Sequence, residues 1–470
     1  MKVRYLPQDP LVGGVREATL KGNRLSNERM RVEDQGPVAQ PDTEGNFLFE
    51  VGTPEFQQGN SFVAANRTLE MFEKAVGHKI PWAFQGDLKI HPHYGSGFNA
   101  FYLRQDHSLN FFDGVDEKTG KAIHGSESLD VVSHEAGHAV LDGLRPGLMG
   151  WFGSGEAPAF HESFGDMAAI LTCLQDDSVV ERVCQETGGD LRKPNVAARL
   201  AEEMSQGINH NYLQSTRPED WVMRDANNDY LYIKPENLPE KAPPEALTAE
   251  AHSFSRIFTG AFWDMLTGVN QRMLSEGKSP QQALRASRDV MAGILGHAVE
   301  LGPNRLNRLN QMGQAFLKAD QRYFGGQYQD LLHDVLSKRN LLSKTESRGP
   351  TDPAAAVRLL QSQGADFLPE AVWRNERGET FARFDAVQEV QLDERTTTDL
   401  VASLTLAIDA EGKVFHSLWE PVTPETIQAA REEANLYRRR EVAGSSDLDR
   451  GFISQPTRQG QKLTRLAVAY

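Results

Sequence analysis

The spacing of hydrophobic and polar residues predicts a mixed segment, then a long helical segment. Residues 1–58 are polar and interrupted by glycine and proline, with short alternating runs that predict strands and turns. A helical pattern starts near residue 60, and strand-like runs follow at 98–104 and 109–114. Helical spacing then dominates from residue 128 to residue 342. This succession predicts an α+β fold class.

The pattern changes again after SKTESRGPTDP, a polar stretch with two prolines that predicts a linker at residues 343–353. Residues 379–392 and 399–422 alternate like strands, with a turn at the sequence AEG. Thr423 and Pro424 then have the residue types of a helix N-cap and first helical position. These signals predict a small α+β module at the end of the chain.

Four segments follow from these patterns. They are an N-terminal β-rich extension (1–58), a core (59–342), the linker (343–353) and the C-terminal module (354–470). We expect the module to be dispensable for chemistry. Its strands could offer an edge to a protein partner, or the module could simply pack on the core.

Composition limits the class of protein. The chain has 470 residues, of which 39% are hydrophobic, enough for two or three domains without disulfide support. A formal net charge of −15 disfavours nucleic acid and anionic membranes as partners, because like charges repel. Cys173 and Cys184 provide neither a disulfide framework nor a cysteine metal site. Without a signal-like or membrane-spanning stretch, we expect a cytoplasmic protein, or one exported without a classical signal.

Candidate chemistry begins at VVSHEAGHAVL, residues 131–141. His134 and His138 are four positions apart, so on a helix both rings can approach one point, with Glu135 beside them. Zinc binds neutral imidazole nitrogens, and a catalytic zinc site leaves one position for water. The spacing therefore predicts a zinc site in which Glu135 takes a proton from that water. Composition alone also produces short motifs of this kind, which leaves a merely polar helix as the alternative.

A second apolar helical stretch, AFHESFGDMAAILTCL, carries Glu162 and Asp166 four positions apart. Their small and apolar neighbours predict burial, where two carboxylates repel each other unless a cation or a donor lies nearby. A zinc ion and a histidine N–H would supply both. We therefore predict Glu162 as the third ligand, and Asp166 as the acceptor for the far nitrogen of a liganding histidine.

Two neighbours of Glu162 are weaker candidates for the site. Glu156 lies in GSGEAPA, whose glycines and proline predict an irregular backbone that would not hold a ligand rigidly. His161 points about 100° away from Glu162 on a helix, which predicts a packing or surface role.

These motifs together resemble those of the thermolysin-like zinc endopeptidases, the glutamate zincins. SLDVVSHEAGHAV is similar to the metal-binding helix of that family, and HESFGD is similar to its second helix. The resemblance covers about residues 60–342. It implies a two-lobed core, with a mixed β/α N-terminal lobe and a helical C-terminal lobe. It also implies that Asp130 and Asp166 lie behind the zinc ligands.

The same resemblance implies the remaining site residues. GFNAFYLRQDHSLNFFDG is similar to the family's substrate-binding edge strand, with Asn99 and Ala100 as contacts to an extended peptide. EAHSFSRIFTGAFWDML is similar to the stretch that carries a histidine for stabilising the tetrahedral intermediate, here His252. Arg217 is the candidate for the family's substrate-clamping arginine. The residue that would orient His252 stays open between two glutamates, Glu250 and Glu245.

The chain also departs from the family pattern. The segment between His138 and Glu162 is longer than usual, and the family's oxyanion-binding tyrosine has no counterpart in it, although Trp151 offers an indole N–H. Of the family's calcium positions only Asp130 is matched, and Cys173 stands where an acidic ligand belongs. These departures do not support a calcium requirement.

The sequence thus predicts a zinc-dependent endopeptidase that acts on peptide or protein substrates. Zinc would be held by His134, His138 and Glu162, with Glu135 as general base and His252 stabilising the oxyanion. The alternative is a non-catalytic zinc-binding interaction or scaffold protein derived from a peptidase fold. Glu135 and His252 argue against that alternative, because a structural zinc site needs no general base beside an open position.

Overall fold

The computed structural model has the predicted mixed α+β composition, with helices and several sheets. It describes residues 1–150, 156–213, 222–239, 242–243, 245–342, 349–363, 369–442, 452–457, 460–465 and 468–469. Its helices are α1 (Pro54–Val76), α2 (Leu129–Leu144), α3 (Gly147–Gly150), α4 (Ala157–Cys173), α5 (Asp177–Thr187), α6 (Glu202–Ile208), α7 (Ala251–Ser275), α8 (Pro280–Leu301), α9 (Asn310–Tyr323), α10 (Gln329–Lys338), α11 (Pro353–Ser362) and α12 (Pro424–Val442).

The strands belong to two larger sheets and two small ones. They are β1 (Lys2–Tyr5), β2 (Arg16–Thr19), β3 (Met30–Val32), β4 (Leu88–Ser96), β5 (Ala100–Leu103), β6 (Ser108–Val115), β7 (Ala122–His124), β8 (Arg199–Leu200), β9 (Arg224–Asp225), β10 (Ala371–Arg374), β11 (Thr380–Asp393), β12 (Thr396–Ile408), β13 (Val414–Glu420), β14 (Phe452–Thr457), β15 (Gly460–Arg465) and β16 (Val468–Ala469).

The first larger sheet lies in the N-terminal half of the chain. Its order is β16-β5-β6-β4-β3, and β7 also pairs with β6. Strand β3 pairs in parallel with β4, so residues from the N-terminal extension are part of the same sheet as the core strands. Strand β5 pairs antiparallel with β6, which places Tyr102 opposite Leu109. Both side chains are fully buried in the main hydrophobic core.

Helix α1 begins at Pro54, earlier than the pattern of apolar residues indicates. The side chain of Thr53 accepts a hydrogen bond from the backbone N–H of Phe56, and Pro54 occupies the first turn. The helix ends at Gly77, whose φ of 72° is favourable for glycine. The cap therefore sets the start of α1, six residues before the helical pattern that starts near residue 60.

Two helices, α2 and α4, cross in close contact at the centre of the molecule. Glycine makes this approach possible, because a Cβ on Gly137 would lie 2.8 Å from the Cβ of Ala168. A Cβ on Gly165 would lie 2.6 Å from the ring of His134. Helix α4 also packs on α7, α7 packs on α8, and α8 packs on α9.

Within the described part of the chain, no helix is both long enough and apolar enough to cross a bilayer.

The second larger sheet belongs to the C-terminal module and has the order β10-β11-β12-β15-β14, with β13 also paired to β12. The predicted strands and the turn at AEG are present. The predicted helix start is confirmed: α12 begins at Pro424, and Thr423 Oγ1 accepts a hydrogen bond from the backbone N–H of Thr426. Most of the predicted linker, residues 343–348, lies outside the described residues.

Buried polar contacts join this module to the helices before it. Both carboxylate oxygens of Glu420 on β13 accept backbone hydrogen bonds, from Asn304 N–H at 2.7 Å and Arg305 N–H at 2.9 Å. The fully buried guanidinium of Arg145, which follows α2, donates to Thr405 Oγ1 of β12. Phe381 and Ala407 of the module belong to the main core. The module is therefore packed into the rest of the protein by desolvated groups.

Replacing Glu420 with alanine should destabilise the protein by about 3 kcal/mol, because two backbone donors would lose their acceptor inside the interface. Glu411 is an exposed glutamate in the turn of the same sheet and provides the matched control. Its replacement by alanine should change stability by less than about 0.5 kcal/mol. Denaturant unfolding of the three proteins measures both effects, and equal midpoints for Glu420→Ala and Glu411→Ala would contradict the role given to this interface.

Candidate metal centre

Helix α2 carries three neighbouring polar side chains into the interior. Most of the helix is apolar, yet the three polar residues His134, Glu135 and His138 are also buried. The rings of His134 and His138 lie 4.6 Å apart and are nearly perpendicular, at 89°. The four-residue spacing thus puts both imidazoles over one face of the helix, as expected from the helical repeat.

Helix α4 supplies a carboxylate to the same place. Glu162 is 4% exposed, and its Oε2 lies 3.3 Å from Nε2 of His134. Its Oε1 lies 3.6 Å from Nε2 of His138. In the described residues, one atom from each of these three side chains lies within 4.8 Å of the other two, an arrangement that could hold a metal ion.

The donor set and its spacing fit zinc. Tetrahedral zinc with ligand bonds near 2.0–2.2 Å separates its ligand atoms by about 3.4 Å, close to the distances between Glu162 and the two histidines. Nε2 of His138 has no hydrogen-bond partner in the described structure, although it is buried. Buried polar atoms rarely lack partners, and a metal ion would satisfy this one. The residues present therefore match the group that the sequence predicts.

Each histidine is held through its other ring nitrogen. Nδ1 of His134 lies 3.1 Å from Oδ1 of Asp166, one turn after Glu162 on α4. Nδ1 of His138 lies 3.3 Å from Nδ1 of His161. Such contacts fix the ring orientation and turn Nε2 of each ring towards Glu162, and Nη2 of Arg224 also lies 3.3 Å from Nε2 of His134. His161 is thus buried against a proposed ligand, so the surface role considered for it is wrong.

Burial and neighbouring charges shift the pKa values of the residues in the site. Burial and Arg224 would lower the pKa of His134, but Asp166 and Glu162 outweigh them and raise it to about 9. Burial lowers the pKa of His138 well below its usual value, which favours the neutral ring that binds metals. Burial would raise the pKa of Glu162, yet the nearby histidines lower it. Burial raises the pKa of Glu135 to about 8. The carboxylates thus favour a cation between the helices.

His252, near the start of α7, also lies next to the carboxylate of Glu162. Its Nε2 lies 3.4 Å from Oε2 of Glu162, and its Nδ1 lies 2.6 Å from Oε1 of Glu250. Glu250 is the N-cap of α7 and accepts the backbone N–H of Ser253 as well. Of the two glutamates left open by the sequence, Glu250 is the one that orients His252.

Arg224 completes the site and was not found from the sequence. This residue of β9 forms an ion pair with Asp166, with Nε 2.7 Å from Oδ1, and its Nη1 lies 3.5 Å from Oε2 of Glu162. The family pattern had pointed instead to Arg217, which lies outside the described residues, as does Trp151. A single arginine in a two-residue strand leaves no periodic signal that could have identified it.

A cavity of about 150 Å³ adjoins the centre. Its polar wall includes Glu135, Arg224 and His252, and its apolar wall consists of Phe98, Ala100, Val131, Ala169, Leu200, Ala201, Met204 and Met223. Asn99 and Ala100, the predicted substrate contacts, also line it. The side-chain oxygen of Asn99 accepts the backbone N–H of Ala100 at 2.9 Å, which fixes the start of β5 beside the cavity.

Two acidic residues near the centre have other partners. Asp130 lines the cavity, but among the described residues its carboxylate accepts from Ser128 Oγ and from the backbone N–H of Val131 and Ala201, not from a proposed ligand. It therefore joins α2 to the segment before α6. Oxygens of Glu156 accept from Tyr232, Arg308 and Leu309 N–H, which directs its buried carboxylate away from the histidines.

The chain matches no protein-family model and no curated protein. The interpretation of this centre therefore depends on the geometry and chemistry of its own residues.

Substitutions at three carboxylates test the assignment of ligands. Glu162→Ala should weaken zinc binding severely, because it removes a ligand and leaves two buried imidazoles. Asp166→Ala should weaken it by about 10–100-fold, because His134 loses the acceptor that orients its ring, and Asp166→Asn should restore part of that loss. Glu156→Ala should leave zinc affinity nearly unchanged, although it removes an acceptor from Arg308 and Leu309.

Competitive zinc titration of the four variants against a chelator gives the affinities, with circular dichroism as the control for folding. Tight zinc binding by Glu162→Ala together with loss of binding in Glu156→Ala would overturn the assignment.

Proposed function

We propose that the protein is a zinc-dependent endopeptidase with the two-lobed arrangement of the thermolysin-like family. The observation that carries the proposal is the meeting of His134, His138 and Glu162 beside a cavity whose wall includes His134 and Glu135. A structural zinc site is usually closed by a fourth protein ligand, whereas a catalytic site keeps a position open. Here the buried carboxylate of Glu135 and a cavity adjoin the proposed ligand His134.

When bound, zinc supplies Lewis-acid polarisation of a water molecule and of the scissile carbonyl. Glu135 is the general base that removes a proton from the attacking water. Its Oε2 is buried and has no hydrogen-bond partner in the described structure, so it is available for this task. Its raised pKa suits a group that takes up a proton and then passes it to the leaving amine.

The remaining polar groups stabilise charge and position the peptide. The Nε2 of His252 donates to the oxyanion that develops on the scissile carbonyl, while Glu250 holds the opposite ring nitrogen. Arg224 presents a guanidinium held by Asp166 at the cavity wall and donates to a substrate carbonyl. It is the role for which the sequence pattern indicated Arg217, which lies outside the described residues.

The strand that starts beside the cavity supports an extended peptide as the substrate. Strand β5 starts at the cavity with Asn99 and Ala100, so a peptide can add to the sheet with its scissile bond next to the metal-binding residues. Phe98, Val131 and Met204 line the adjoining cavity, which favours an apolar side chain beside the bond that is cleaved.

The Glu135→Gln variant separates catalysis from metal binding. Zinc affinity should stay within about threefold of wild type, because the three ligands are unchanged, while kcat/KM on a casein or peptide-library substrate should fall by about 10²–10⁴-fold. Glu181→Gln, at an exposed position on α5, is the matched control and should retain full activity.

Equal cleavage by wild type and Glu135→Gln would contradict the enzymatic proposal. Zinc bound by both proteins with cleavage by neither would favour the alternative, a non-catalytic zinc-binding interaction or scaffold protein.

A further inference from the structure

The outer edge of strand β5 is occupied by another segment of the same chain. Strand β16 pairs antiparallel with β5, with Val468 opposite Leu103 and Ala469 opposite Tyr102. The inner edge of β5 is taken by β6. Both edges of β5 are therefore paired along these residues. The outer edge is the one to which a peptide substrate would have to add.

We propose that the C-terminal strand β16 is an internal inhibitor that competes with peptide substrates for the edge of β5. This inference rests on the proposed peptidase function, because only then does occupation of the edge regulate activity. The pairing itself is a property of the backbone and needs no particular side chain. It uses the mode of recognition, addition of a strand to a sheet edge, that the substrate itself would use.

The position and direction of β16 support competition. The strand lies against α4, the helix that carries Glu162 and Asp166, as well as against β5. Because β16 is antiparallel to β5, it passes Leu103 first and Tyr102 next, in the direction of Ala100. Ala100 lines the cavity beside the proposed metal-binding residues. A peptide that extends along β5 from Ala100 would therefore need the edge at Tyr102 and Leu103 that β16 occupies.

The preceding strands of the C-terminal module hold β16 next to β5. Strand β15 pairs in parallel with β12, with Thr396 opposite Gln461, and Nζ of Lys462 lies 2.9 Å from Oδ2 of Asp399. Only two residues separate the end of β15 at Arg465 from the start of β16 at Val468, a distance of at most about 11 Å of extended chain. A tether this short gives an effective concentration of about millimolar.

The two-residue pairing is nevertheless short. Few backbone hydrogen bonds form over Val468–Ala469, so the bound state of the tail depends on the tether and remains open to displacement. If the isolated segment binds with a dissociation constant near 0.1 mM, the tether would keep the edge about 90% occupied. Occupation of that degree reduces the apparent affinity for substrate about tenfold without abolishing activity.

Proline in β16 tests the proposal in the zinc-loaded, full-length protein. The double variant Val468→Pro/Ala469→Pro removes both backbone donors and disfavours strand pairing. The matched control, Val468→Thr/Ala469→Ser, keeps both donors and alters only side chains. For a fluorogenic peptide substrate, kcat/KM should rise about tenfold in the proline variant, mainly through KM, and stay within about twofold in the control.

Hydrogen exchange provides a measurement that does not depend on peptidase activity. A backbone amide of Tyr102 or Leu103 that faces β16 should exchange faster in the proline variant than in wild type or the control, whereas the β5 amides that face β6 should keep their protection. A synthetic peptide of residues 460–470, added to the proline variant in a Glu135→Gln background, should restore the protection of the amide that faces β16.

The outcomes separate this proposal from the proposed function. Active proteins with equal kcat/KM would overturn internal inhibition, and so would unchanged exchange of the β5 amide that faces β16. If no variant cleaves peptides but exchange at β5 accelerates in the proline variant, the peptidase function fails while occupation of the edge by β16 is supported.

Discussion

The burial of two carboxylates between α2 and α4 is the constraint on which the site depends. Glu162 and Asp166 lie one turn apart on the same helix, and both are almost fully removed from water. Such a pair is costly unless positive charge or hydrogen-bond donors compensate it. His134, Arg224 and His252 provide this compensation from three different elements, and a zinc ion would extend it. Gly137 and Gly165 allow the helices to approach closely enough for it to form.

Local rules made the meeting of His134, His138 and Glu162 predictable from the sequence. The spacing of His134 and His138, and that of Glu162 and Asp166, has meaning on any helix, because residues four apart share a face. Capping chemistry likewise predicted the start of α12 at Thr423 and Pro424. These features depend on residues within a few positions of one another, so no knowledge of the tertiary fold was needed.

The groups that the sequence did not reveal depend on contacts between distant segments. His161 points away from Glu162 on its own helix, but α4 crosses α2 so closely that His161 reaches His138 on the other helix. Arg224 reaches Asp166 from a two-residue strand far along the chain. The pairing of β16 with β5 joins residues more than three hundred positions apart. Helical periodicity carries no information about any of these contacts.

The protein therefore combines a buried His/His/Glu group that could hold a metal with a strand edge paired to its own C-terminal module. The buried contacts of Glu420 and Arg145 fix this module against the helices, and the β14–β15 hairpin carries the chain back towards β5. The module predicted to be dispensable for chemistry thus lies where it can control access to the centre.

Anomalous diffraction at the zinc absorption edge, from crystals of the zinc-loaded protein, tests the central claim most directly. The account predicts a peak within about 2.0–2.2 Å of Nε2 of His134, Nε2 of His138 and a carboxylate oxygen of Glu162. A zinc peak bound by other residues, with these three side chains left without metal, would contradict it.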